Sequence, residues 1–134
     1  MYLIKVDSLE GFEISYTHSV NKGRVHDSYE IQNDDTLLLD TTVFVSYGAG
    51  IPEPEETPGA VFTVTEDGYV ISNLQRHVKK LVMAVGIIAK HGLTLKYKDG
   101  DERYLSMTDM FAPQTSIMFE VVHVDLYTYV KNTL

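Results

Sequence analysis

At 134 residues without a single cysteine, the chain sets nineteen Asp and Glu against eleven Lys and Arg, a formal net charge of -8. That balance excludes the basic face a nucleic-acid partner requires and unaided adhesion to anionic lipid. The missing thiols exclude a disulfide scaffold, a thiolate zinc site and a cysteine nucleophile.

A hydrophobic share of 44% with 22% charged residues is that of a globular protein, and a chain this long buries a core without staples. The longest apolar run, Leu81 to Ala89 with Gly86 inside it, falls short of the roughly twenty residues a membrane helix needs. Met1 to Val6 lacks the basic and long apolar regions of a secretion signal.

In chain order, period-two alternation comes first. Phe12, Ile14, Tyr16, His18 and Val20 share one face of a predicted strand, and Val25 to Ile31 is its partner across Asn21-Lys22-Gly23. Asn33-Asp34-Asp35 reads as a turn, and Leu37 to Tyr47 as a long strand. Three prolines between Pro52 and Pro58 remove ladder donors and predict a loop. Asp67-Gly68 and Asp99-Gly100 each lie between apolar runs and predict hairpins, Val61–Thr65 with Tyr69–Ser72 and Leu93–Tyr97 with Arg103–Leu105. Leu81 to Val85 fits a buried strand or a short helix. Ser106 to Phe111 fits one helical turn, with Ser106 as cap and Asp109 at the third position. Ile117 to Val130, β-branched and aromatic, reads as a long final strand. The expected fold is all-β: one domain over 1–134, an antiparallel sandwich or partly closed barrel with at most one or two short helices.

Two stretches depart from strand rules and mark candidate sites. One is Tyr16-Thr17-His18-Ser19-Val20; the other is Ser46-Tyr47-Gly48-Ala49-Gly50-Ile51-Pro52. His18 is either a core histidine or a ligand-gripping group brought near Asp27 or Tyr29 by strand pairing, where a carboxylate would fix its tautomer. Gly48 and Gly50 admit dihedrals closed to other residues, so the turn is either a strand-ending bulge or an anion-binding nest. No Walker loop or dinucleotide fingerprint is present. A Ser–His–Asp set from Ser19 or Ser46, His18 and Asp27 lacks the nucleophile-elbow motif. The five histidines have no metal-pair spacing, and the acidic turns miss the calcium-loop pattern. Neither catalytic residues nor a metal or other cofactor is called for. Tyr127 and Tyr129 mark either an interaction stripe or a half-exposed sheet face.

The two stretches together resemble a bacterial family, domain of unknown function 1850. Its members show Tyr-x-His-Ser-Val, then Pro-Val-x-Glu-x-Tyr/Phe, then an acidic-Thr-x-Phe-x-Ser-Tyr/Phe-Gly-Ala-Gly-x-Pro stretch. Here the last reads Asp40-Thr41-Thr42-Val43-Phe44-Val45-Ser46-Tyr47-Gly48-Ala49-Gly50-Ile51-Pro52. The likeness covers roughly residues 11 to 105. His18, Ser19, Ser46, Gly48 and Gly50 match family positions. Asp27 stands where Glu is common, and Arg24 replaces the frequent proline. The resemblance implies a genomic setting beside, or fused to, permeases of TAXI-type TRAP transporters for organic acids. It thus implies a non-enzymatic accessory or binding module outside the cytoplasm, with the permease or solute receptor as partner and the membrane reached through that partner or an anchor. Its patch would be His18, Ser19, Asp27, Tyr29, Ser46, Gly48 and Gly50, holding a small anion, a metal ion or a partner segment. The alternative is a small-ligand or metal-binding protein, or an enzyme, using His18 and Asp27.

Overall fold

Leu9–Thr17 (β1) and Arg24–Ile31 (β2) pair antiparallel, with Phe12 opposite Tyr29 and Ile14 opposite Asp27. The computed structural model describes residues 1–18, 22–46, 53–86 and 88–134. Leu37–Phe44 (β3) continues the sheet beyond β2. Val61–Thr65 (β4) and Gly68–Ser72 (β5) add the Asp-Gly hairpin on β3, where Arg76–Val78 (β6) also pairs. On the opposite side β1 pairs Gly92–Tyr97 (β8), which pairs Glu102–Ser106 (β9). The main sheet therefore runs β4-β5-β3-β2-β1-β8-β9, with β6 beside β3. Leu81–Ala84 (β7) and Ser116–Phe119 (β10) form a separate two-stranded ribbon. The sheets do not close into a barrel, so of the two expected all-β architectures the sandwich-like one is observed.

Alternation decides what each strand buries. Phe12, Ile14, Tyr29, Leu93 and Leu95 form the core face of the sheet, and the ribbon's Leu81, Met83, Ile117 and Phe119 cover it. Phe12 stacks between Tyr29 (ring centroids 5.2 Å apart) and Phe119 (5.9 Å). A second cluster, Val25, Phe44, Ile71 and Leu74, lies toward the β3–β5 side. The edge strand β4 is exposed along its whole length, with Val64 at 77%.

Several expected elements need correction. The helical turn after β9 forms as Met107–Met110 (α1), but Ser106 makes no side-chain cap bond; its hydroxyl meets Thr108 Oγ1 at 3.0 Å instead. The long final strand does not exist. β10 stops at Phe119, and Leu126–Asn132 is a helix (α2) started by the Asp125 carboxylate, which accepts from the Thr128 N–H at 2.7 Å. A capping carboxylate outweighed β propensity there. The proline loop holds a short 3-10 turn over Pro54–Glu56 with a capping box from Glu53. β3 ends at Phe44, with Val45 and Ser46 in a bend, so it is shorter than expected; Tyr47 lies outside the described residues.

Candidate functional site

Antiparallel pairing gathers one set of strand ends at one rim of the main sheet. Thr17 at the end of β1 pairs Arg24 at the start of β2, and Ser15 pairs Gly92 at the start of β8. Gly92 pairs Ser106 at the end of β9, while His26 near the start of β2 pairs Val43 near the end of β3. Both motif-bearing segments therefore leave the sheet at the same rim. Their tips do not complete the picture: Ser19, Gly48 and Gly50 lie outside the described residues.

Among the expected site residues, Asp27 and Tyr29 share the core face of β2. Across the sheet the row reads Leu93, Ile14, Asp27, Thr42, Ile71, a carboxylate set among apolar side chains. The Thr42 hydroxyl donates to Asp27 Oδ1 at 2.6 Å. Burial pushes the Asp27 carboxyl above the usual range; the Thr42 bond and His26 oppose that, and the Glu13 charge adds to it. Burial, and secondarily the Asp27 charge, push half-buried Tyr16 and core residue Tyr29 up to about 12. Both phenols are therefore neutral donors at physiological pH. Tyr29 is a core residue stacked on Phe12, which is a structural duty.

The register sets the backbone of His18 apart from that of Asp27. His18 donates its backbone N–H to Gly23 O at 2.8 Å, four residues along β1 from Ile14, the partner of Asp27. At strand rise that is roughly 13 Å. The Asp27 side chain bonds Thr42. His18 is buried at 5% exposure, and its backbone carbonyl accepts from Lys22 N–H at 3.0 Å. Ser46 lies half-buried just past β3 at the same rim.

The rim also carries a cavity of about 660 Å³ that the motifs did not announce. Among the described residues its polar lining is Thr17, Arg24, Lys90, Tyr104, Ser106 and Thr108, and its apolar wall is Val85, Phe111 and Pro113. Arg24 is the organiser. Its Nη1 donates to Thr17 Oγ1 at 3.2 Å and to Ala89 O at 3.0 Å, and its Nη2 to Ser15 Oγ at 3.0 Å. The Thr17 N–H donates to the same Ala89 carbonyl at 2.7 Å, which ties the 88–91 segment to β1. No described carboxylate forms a salt bridge with Arg24 or Lys90; the three ion pairs lie elsewhere. Lys90 holds a left-handed backbone, φ 48°, at a cost of order 1 kcal/mol for a non-glycine.

His91 flanks this wall, its ring 5.7 Å from that of Tyr16. Its Nδ1 accepts from the Gly86 N–H at 3.2 Å, so that nitrogen carries no proton. Burial, and secondarily the Arg24 charge, lower its pKa. In the sequence Arg24 stands out only as the residue that replaces a frequent family proline. The available signal was the hairpin register itself, which sets Arg24 on the polar face opposite Thr17.

Among the described residues no group of three His, Cys, Asp or Glu side chains is arranged to hold a metal. No described helix is long and apolar enough to cross a membrane. Residues 12–101 match the family model described as Domain of unknown function (DUF1850), more than half of the chain. No curated protein and no solved structure matches.

Proposed function

The chain belongs to the Domain of unknown function (DUF1850) family, and from that premise we propose that it is a non-enzymatic binding module, an accessory of a TAXI-type TRAP organic-acid transporter. The observation that carries the reading is the convergence at one rim. The ends of β1, β2 and β3 lie at one rim of the sheet, and Thr17 of β1 and Arg24 of β2 line a cavity whose polar lining, among the described residues, supplies donors and cations rather than an acid–base pair. Donors fixed on strand ends hold and orient a bound group; they do not by themselves move protons. His18 and Asp27 lie apart by register, which speaks against the alternative of a shared catalytic or metal-binding pair.

The partner is the transporter's permease or its solute receptor, and the working compartment is outside the cytoplasm. Crosslinking in native membranes followed by identification of the captured chains tests this. Recovery of a permease or solute receptor supports it. A cytosolic distribution with neither captured overturns it.

A further inference from the structure

We propose that the rim cavity binds a small organic carboxylate, its headgroup on the Arg24 guanidinium and the Lys90 ammonium and its apolar part against Phe111 and Pro113. This deepens the binding-module reading and rests on it. Arg24 offers five N–H donors. Three are engaged by neutral oxygens of Ser15, Thr17 and Ala89, which fix the group without cancelling its charge. Among the described residues two donors, the Nε–H and one on Nη2, have no partner, and the Nε–Nη2 edge of a guanidinium matches the two oxygens of one carboxylate.

Lys90 lines the same cavity without a described carboxylate partner. In a chain of net charge -8, a concavity lined among the described residues by two cations and no acid is where an anion is favoured over bulk solvent. The hydroxyls of Ser106 and Thr108, 3.0 Å apart, and of Thr17 and Tyr104 add neutral hydrogen-bonding groups around the charge. The volume lies within the span of small-molecule sites. The accessible apolar wall of Phe111 and Pro113 selects an anion with an apolar tail over a fully hydrated one such as inorganic phosphate.

The test is calorimetric titration of the purified chain with hexanoate, its neutral isostere hexanamide and inorganic phosphate. The expected result is one hexanoate site, with hexanamide at least about tenfold weaker and phosphate weaker than hexanoate. Arg24→Gln is expected to weaken hexanoate about tenfold or more, and Lys90→Gln about threefold. Arg24 also ties β1 to the 88–91 segment, so an unfolded Arg24→Gln protein passes the decision to Lys90→Gln and Arg24→Lys, both expected to fold and to bind more weakly. The proposal is overturned by no hexanoate binding up to about 10 mM, by equal binding of hexanamide, by tighter binding of phosphate, or by unchanged affinity in the folded variants. Failure here with a transporter partner still captured sinks the carboxylate alone. Hexanoate binding with no partner captured sinks the accessory role alone.

Discussion

Asp27 and Thr42 form a hydrogen bond of 2.6 Å between adjacent strands, on the face of the sheet that buries Ile14 and Ile71. A carboxylate has been set into a core row and given one strong donor. Its raised pKa has a definite sign for stability. The native state holds the proton to higher pH than the unfolded chain, whose carboxyl titrates near 3.8. Stability from this group is therefore fully present below 3.8 and lost as pH rises through the folded pKa.

Asp27→Asn removes that loss while keeping an oxygen for Thr42. The variant is expected to be more stable than the parent at neutral pH, by about 1 kcal/mol, with the difference shrinking toward pH 3. Urea denaturation at several pH values checks it. A variant less stable at pH 7 contradicts the account.

Thr42→Val deletes the donor and leaves the carboxylate facing apolar neighbours, at an expected cost of about 2 kcal/mol. In the Asp27→Asn background the same change is expected to cost about half as much. A double-mutant cycle measures the coupling, and strictly additive costs would show that the bond carries nothing.

His91 enters the fold neutral, accepting from Gly86. A histidine with a lowered folded pKa leaves stability intact above its unfolded value of 6.5 and subtracts from it as pH falls through the folded pKa. NMR titration is expected to place His91 below 6.5 and to move it upward in Arg24→Gln, because the neighbouring positive charge is then gone. An unmoved titration would separate the two residues.

Gly11 has no room for a side chain. A Cβ there meets the Tyr29 carbonyl oxygen at 2.3 Å, a backbone atom that cannot swing aside. Gly11→Ala is expected to cost about 2 kcal/mol or more in denaturant unfolding. At Gly92 the nearest obstacle to a Cβ is the exposed Tyr104 side chain, its hydroxyl oxygen 2.5 Å away, so the cost of Gly92→Ala is expected to be smaller and to fall on the cavity rather than on the sheet.

The same distinction between local and assembled features explains what could be read from the residues alone. The Asp67-Gly68 and Asp99-Gly100 hairpins and the β1–β2 pairing were visible because turn chemistry and alternation act over a few neighbours. The helix at Leu126–Asn132 was hidden because its residues favour strands, whereas the Asp125 cap and the distant backbone bonds of Leu3 to Asn132 and Leu134 hold the helical segment. The nine-residue interval from His18 to Asp27 suits a hairpin, but register, not interval, sets which backbones lie opposite, and an interval alone does not carry it. The cavity was beyond reach altogether. Arg24 and Ala89 are 65 positions apart, and no window of sequence contains both.

That separation has a thermodynamic consequence. Thr17, Arg24, Lys90 and Ser106 converge only once β1, β2, the 88–91 segment and β9 have docked, so an unfolded chain offers no comparable pocket. Any molecule lodged there acts as a clasp on the whole assembly, and occupancy raises the melting temperature in step with its free concentration. Heat resistance thereby becomes a gauge of the guest, readable without knowing its identity beforehand.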